Sequence, residues 1–114
     1  MTNAHFLKIA TFHLTDQPEI MRKLKAELKE AIPSPNEIPP LPELERLPYM
    51  HTIIQECYRL SYGVAHMTQR IVPNEDLVFR DWVIPAGTPC SMTSVLVHED
   101  LEIFSDPIEF RPDR

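Results

Sequence analysis

The stretch IIQECYRLS, residues 53–61, combines an apolar helical stripe with an ion pair. The spacing predicts a helix over residues 48–61 that begins at Pro48 and that Gly63 ends. Glu56 and Arg59 lie about 60° apart at the edge of the stripe, where a surface pair would contribute only a few tenths of a kcal/mol. The residues that form the stripe are Met50, Ile53, Ile54, Cys57 and Leu60.

Two more helices are predicted upstream. Residues 4–14 have the apolar pattern of a short buried helix, or of the end of a longer one. Residues 16–32 predict an amphipathic helix with Asp16 as N-cap and Glu19 completing a capping box. Its charged residues form a solvated face, on which Glu19 pairs with Lys23. Its apolar stripe consists of Ile20, Leu24, Leu28 and Ile32.

The remaining segments are extended or irregular. Residues 33–47 predict a proline-rich surface connection with one short turn at ELERL, because proline interrupts both helices and central strands. Residues 63–97 predict a small antiparallel sheet, with VAHMTQRIV and LVFRDWVI as strands, PNED and PAGT as turns, and PCSMTSVLV as an extended or mixed segment. Residues 98–114 predict an irregular meander, so the order of elements is that of an α+β chain.

Composition excludes several classes of protein. The chain has 114 residues, enough for one small domain, and a net charge of −6 that argues against nucleic acid as a partner. Cys57 and Cys90 are too few for a disulfide framework and predict two reduced thiols. Since no apolar run approaches the ~18 residues of a membrane span, the chain is expected to be soluble and intracellular.

A series of motifs around Glu56 and Arg59 indicates that the two residues are more than a surface ion pair. Glu-x-x-Arg at 56–59 is followed by IPAGT at 84–88 and by an H-x-D…F-x-D-P-x-x-F-x-P-x-R series within residues 98–114. This order resembles the cytochrome P-450 superfamily, the haem-thiolate monooxygenases. The resemblance implies that residues 1–14 end the I helix, 16–32 form the J helix and 48–61 form the K helix of that mainly α fold.

The resemblance also implies roles for particular residues. Glu56, Arg59 and Arg114 would form a structural triad of interlocked charges, not a catalytic group. Arg70 would meet a haem propionate. The segment of Val64, Ala65, His66 and Met67 would face the substrate.

The function implied is insertion of one oxygen atom from O₂ into an apolar small molecule, with haem as cofactor and electrons from NADPH through a reductase partner. The family's axial Cys lies in a Phe-x-x-Gly-x-Arg-x-Cys-x-Gly loop that these residues do not contain. The sequence is therefore interpreted as an inactive internal piece of such an enzyme: a truncated product, a pseudogene or a mis-split gene model. An intact relative would be anchored at the endoplasmic reticulum through an N-terminal segment.

Two alternatives remain open from the residues alone. One is a non-enzymatic interaction module whose exposed apolar stripes bind another chain. The other is a metal enzyme built on His98 and Asp100, for which no second pair of ligands is apparent.

Overall fold

A computed structural model of the chain describes residues 3–63 and 65–114. Three helices of 13 or 14 residues come first in the chain, and short strands and turns follow. The elements are α1 (Asn3–Asp16), α2 (Pro18–Ala31), α3 (Leu41–Leu44), α4 (Pro48–Leu60), β1 (Thr68–Ile71), β2 (Leu77–Phe79), β3 (Trp82–Ile84), β4 (Pro89–Met92) and α5 (Ser94–His98).

The core lies where α1, α2 and α4 meet. It takes one buried side chain from α2, three from α4 and one from the C-terminal segment, while α1 contributes half-buried side chains. Burying an aliphatic or aromatic side chain of this size contributes about 1.5–3 kcal/mol, so α4 is the element on which the others pack. The buried hydrophobic residues are Ile20, Ile53, Cys57, Leu60 and Phe110.

The helix ends differ from the predicted ones. α1 continues through Asp16, so this residue is not an N-cap, and Gln17 precedes α2 without a side-chain capping bond. Glu19 pairs with Arg22 instead of completing a capping box or pairing with Lys23. α4 ends at Leu60, and Tyr62 takes the left-handed conformation (φ 41°) there.

The strands form two separate antiparallel pairs. β1 pairs with β4, with Ile71 opposite Pro89, and β2 pairs with β3, with Phe79 opposite Trp82. The prediction of one strand over 77–84 is therefore wrong: Arg80 adopts a positive φ of 53°, and the chain reverses at residues 80 and 81. The β2–β3 hairpin is inserted between the two partners of the first pair.

The chain is elongated, with extents of 62 × 30 × 23 Å and a radius of gyration of 19.6 Å. A compact domain of this length would have a radius of gyration of about 13 Å. Both faces of the β2–β3 hairpin are open to solvent, and Trp82 is 73% exposed. Within residues 3–63 and 65–114, no helix combines the length and the apolar character needed to cross a membrane.

Candidate functional site

Glu56 and Arg59 form a buried ion pair on α4. Arg59 Nε donates to Glu56 Oε2 at 2.9 Å, and Nη2 donates to Oε1 at 2.8 Å. The two side chains are only 5% and 6% exposed, so this is not the surface pair that the spacing alone predicts. A two-point contact between a guanidinium and a carboxylate fixes both groups in one geometry.

Arg114 brings the third charge to the same carboxylate. Its Nε donates to Glu56 Oε1 at 3.1 Å, and its side chain is 18% exposed. The structure thus places the three predicted triad residues in contact. We use "the triad" below for Glu56, Arg59 and Arg114.

Backbone groups of the C-terminal segment complete the network. Arg59 donates from Nη1 to the carbonyl oxygens of His98 (3.0 Å) and Pro107, and from Nη2 to that of Glu109 (3.1 Å). With its two bonds to Glu56, all five N–H groups of Arg59 are used. Arg114 donates to three carbonyl oxygens of the same segment, those of Ser105, Asp106 and Glu109.

The surroundings keep the Glu56 carboxylate ionised. Burial pushes its pKa upward, but hydrogen bonds from the Arg59 side chain and the Arg111 backbone N–H, with the charges of Arg59 and Arg114, outweigh burial and lower the pKa. The Arg111 N–H lies 3.0 Å from Oε1. Oε1 thus accepts three hydrogen bonds, and Oε2 accepts one, from Arg59 Nε. These four donors offset the cost of burying the carboxylate charge.

An aromatic ring and a cleft border the triad. The Phe104 ring centroid lies 5.0 Å from the Arg59 guanidinium carbon and 5.8 Å from that of Arg114, within reach of cation–π attraction. A cleft of about 290 Å³ opens beside the triad, between α4 residues such as Thr52 and Gln55 and the C-terminal segment. It has room for a few side chains of another segment.

The other predicted site residues lie apart from the triad on exposed chain. Arg70 is exposed on β1 opposite Cys90, and Ala65, His66 and Met67 are exposed before that strand. The Ala65 carbonyl accepts from Thr93 Oγ1 at 3.1 Å. Val64 lies outside the described residues.

Arg70 and the two cysteine thiols are the groups of this chain that bear on a haem site. An exposed Arg such as Arg70 suits a carboxylate chemically. Cys57 is fully buried, and burial, followed by the Glu56 charge, raises the pKa of its thiol to about 11, so the thiol stays protonated. Cys90 Sγ donates to the Thr88 carbonyl at 3.7 Å. Cys57, buried and protonated, is therefore not suited to be the axial thiolate of a haem.

The metal hypothesis for His98 and Asp100 finds no support among the described residues, where no three His, Cys, Asp or Glu side chains converge. Instead His98 Nδ1 lies 2.9 Å from the Arg59 carbonyl oxygen and donates to it. Asp100 accepts from the Glu102 backbone N–H at 2.8 Å in a local turn.

Sequence reasoning did not find the backbone partners of the triad or the contact of Glu27 with α4. Glu27 Oε1 and Oε2 each accept a hydrogen bond of 2.8 Å, from the backbone N–H groups of Tyr49 and Met50. Its position among the charges of α2 indicated a solvated residue. No local spacing signals a bond across 22 residues of chain.

Known proteins define the class to which the chain belongs. The profile of the cytochrome P450 family matches residues 1–114. Cytochrome P450 monooxygenase tpcC of Cochliobolus heterostrophus is 43% identical over 120 residues, which cover 100% of this chain and 23% of that protein. Cytochrome P450 monooxygenase TRI4 of Trichoderma arundinaceum is 42% identical, over 99% of this chain and 22% of its own length.

A solved structure has the same fold. A zebrafish cytochrome P450 determined with progesterone superposes with a TM-score of 0.78 at 22% identity, over 96% of this chain and 25% of that one. The chain therefore belongs to the cytochrome P450 family, as the motif series predicts, and its fold is part of that family's fold. Haem is the cofactor of this family of monooxygenases. The chain spans under a quarter of the length of the curated relatives named above.

Proposed function

We propose that these residues serve as a structural segment of a haem-thiolate monooxygenase. The whole enzyme would insert one oxygen atom from O₂ into an apolar organic molecule, with electrons from NADPH delivered by a reductase. In this proposal the enzyme is anchored at the endoplasmic reticulum by residues beyond the segment. The segment itself supplies no reacting group.

The observation that carries this proposal is the buried triad beside an open cleft. Nine hydrogen bonds from the N–H groups of Arg59 and Arg114 reach the carboxylate of Glu56 or the carbonyls of residues 98 and 105–109, so the C-terminal segment is fixed to α4. A cleft of about 290 Å³ borders this rigid surface. We propose that the loop carrying the axial Cys rests on the surface that the triad holds.

The haem, when bound, activates O₂, and the residues of this chain would orient it. Arg70 would hold a propionate through charge-assisted hydrogen bonds, since its side chain is exposed on β1. Ala65, His66 and Met67, exposed before β1, together with Val64, would face the substrate.

A chimaera tests the proposal. Residues 1–114 replace the matching segment of the tpcC protein, with which they share 43% identity. We expect the reduced, CO-treated chimaera to give a thiolate-type absorption band. Glu56→Ala in the inserted segment should abolish the band, because the buried guanidinium of Arg59 and the more exposed one of Arg114 both lose their carboxylate.

Glu19→Gln is the matched control, because this carboxylate pairs with Arg22 on the exposed face of α2. The control should keep the band at full height. A full band from the Glu56→Ala chimaera would contradict the proposed role of the triad. The 114-residue chain mixed with haem should give no thiolate-type band, and a band would show that Cys57 or Cys90 can ligate.

The alternative function, a non-enzymatic interaction module, rests on the apolar side chains that the fold leaves in solvent, such as Val78 at 75% exposure and Trp82. A self-sufficient module should be monodisperse and unfold in one sharp transition. A segment of a larger enzyme should self-associate and unfold over a broad range.

A further inference from the structure

Helix α4 has no capping side chain at its own N-terminus. The first four N–H groups of a helix lack partners within it, and Ser, Thr, Asp or Asn at the N-cap normally satisfies one of them. Here the N-cap is Leu47, which makes no side-chain capping bond, and Pro48 follows. The N–H groups of Tyr49 and Met50 therefore need acceptors from elsewhere.

Glu27 of α2 provides both acceptors. Its Oε1 lies 2.8 Å from Tyr49 N and its Oε2 lies 2.8 Å from Met50 N. A carboxylate at a helix N-terminus also interacts favourably with the helix dipole. One side chain thus caps α4 and joins it to α2 at the same time.

At the C-terminus of α4, His98 provides a hydrogen-bond partner for a backbone group of the helix, as Glu27 does at the N-terminus. The last carbonyls of a helix are unpaired within it, and that of Arg59 accepts from His98 Nδ1 at 2.9 Å. In return, Arg59 Nη1 donates to the His98 carbonyl at 3.0 Å. The imidazole and backbone of one residue therefore hold both the main chain and the side chain of Arg59.

We propose that Glu27 and His98 are positioning residues that fix α4 from both ends, and with it the placement of Glu56 and Arg59. Because α4 has no capping side chain of its own, the polar contacts that hold its two ends come from α2 and α5. The inference does not depend on any reaction of the chain. It assigns to Glu27, a residue of the otherwise solvated charged face of α2, a function in building the triad.

Hydrogen exchange of the full chain, resolved to single amides, tests the N-terminal contact. Glu27→Ala should speed exchange of the Tyr49 and Met50 amides by about fivefold or more, the effect of losing a cap. It should also speed exchange of the Arg111 amide, which donates to Glu56 Oε1. Glu30→Ala, an exposed carboxylate of the same helix, should change none of these rates.

A local cap separates positioning from simple stabilisation. Leu47→Asp in the Glu27→Ala background supplies an N-cap from within the helix. We expect it to restore protection of the Tyr49 and Met50 amides but not of the Arg111 amide, because α4 is still detached from α2. If protection from exchange returned at all three amides, Glu27 would act only as a helix cap and not as a positioning residue. That result would overturn the inference.

The C-terminal contact has its own variant pair. His98→Asn keeps a donor near the position of Nδ1, whereas His98→Leu does not. His98→Leu should raise exchange at the Arg59 side-chain Nε–H and at the Arg111 amide, and His98→Asn should rescue both. Unprotected Tyr49, Met50 and Arg59 N–H groups in the unaltered chain would also overturn the inference.

Discussion

At the scale of single residues, Arg59 shows how a short motif acquires meaning from its fold. The same Glu-x-x-Arg spacing on an exposed helix would add a few tenths of a kcal/mol. Here the guanidinium is 6% exposed and all five of its N–H groups have acceptors. Such a pair is not strong evidence of added stability, but removing one member leaves a desolvated charge without its partner.

In the tpcC chimaera described above, Arg59→Ala should therefore lower the free energy of unfolding by about 3–5 kcal/mol. Arg22→Ala is the matched control, because Arg22 also pairs with a Glu three residues away but with its side chain 74% exposed. The control should change stability by less than about 0.5 kcal/mol. Chemical denaturation followed by circular dichroism measures the change in unfolding free energy for both variants. Equal losses of stability in Arg59→Ala and Arg22→Ala would contradict the view that burial makes the Arg59 pair important.

A half-buried imidazole and a buried carboxylate should make the stability of the fold fall in two successive steps as the pH is lowered. His13 stacks on Phe110 with ring centroids 4.5 Å apart, and burial, opposed by the charges of Asp16 and Glu56, lowers its pKa below the usual 6.5. The pKa of Glu56 is also lowered, from 4.5, although burial alone would raise it. A group with a lowered folded-state pKa stabilises the fold above its unfolded pKa, and this contribution is lost as the pH falls.

Stability should thus begin to fall below about pH 6.5 because of His13 and fall again below about pH 4.5 because of Glu56. His13→Phe keeps an aromatic ring at the stack and should remove the first step only. His51→Gln, at an exposed position of α4, should leave the profile unchanged. Urea midpoints measured from pH 4 to pH 8 test this, and a first step that persists in His13→Phe would refute the assignment.

The resemblance to the cytochrome P450 family identified the residues of the triad, but not most of their partners. The spacing of Glu56 and Arg59 alone indicated a surface pair, and only the series of motifs that ends at Arg114 implied that the three residues meet. The carbonyls of Pro107 and Glu109 are backbone groups that every residue has, so no letter of the sequence marks them. Their role follows only from the path of the C-terminal segment around Phe104.

At the scale of elements, helices were predicted better than strands. The stripe of α4 specifies its buried face, because steps of four and three residues place Ile53, Cys57 and Leu60 together. The turn within 77–84 carries no Gly, Asn or Pro, and Arg80 takes the positive φ there. Without that turn signal, alternating apolar residues on both sides of it predict one strand instead of two.

The turn between β3 and β4 was predicted because its chemistry is explicit. Thr88 N donates to the Pro85 carbonyl at 3.2 Å, and Gly87 at the third position has φ 79°, as a type II turn requires. A Cβ added to Gly87 would meet no atom within 4 Å, so only the backbone conformation opposes substitution.

Gly87→Ala should therefore destabilise the chain by about 1–2 kcal/mol, and Gly87→Asn by less, since Asn tolerates this conformation. Ala86→Ser, at the preceding position of the turn, should have little effect because it leaves the backbone N–H free to donate to Asp76. Thermal unfolding of the three variants compares them. If Gly87→Ala left the unfolding temperature unchanged, the turn would be able to adopt a backbone conformation without the positive φ.

At the scale of the whole molecule, the fold leaves many large apolar side chains in solvent. The hydrophobic core is confined to the helix junction, whereas Val78, Trp82 and Met92 on the strands are each more than 70% exposed. The radius of gyration, 19.6 Å, reflects this open arrangement. Monomeric soluble proteins seldom expose such surface without a covering partner.

The 114-residue chain alone should bind a hydrophobic dye and sediment as a concentration-dependent mixture. Replacing Val78 and Trp82 together by Thr should reduce both effects, because these two side chains lie on opposite faces of the β2–β3 hairpin and are among the most exposed. Lys8→Gln, elsewhere on the surface, serves as control. Analytical ultracentrifugation with dye fluorescence tests this, and a dye-silent monomer would instead favour the interaction module.

The pairing of β1 with β4 makes residues 72–88 a natural place for grafting. The chain leaves the pair at Ile71 and returns at its register partner Pro89, and the bond from Gly87 N to the Val72 carbonyl (2.8 Å) closes the base of the excursion. The two ends of a replacement segment would therefore be held close together by the pairing of β1 with β4. The entropic cost of lengthening such a loop rises only slowly with its length. A reporter peptide or an affinity tag spliced between Val72 and Gly87 would keep this bond and should be carried without moving the helices that hold Glu56 and Arg59.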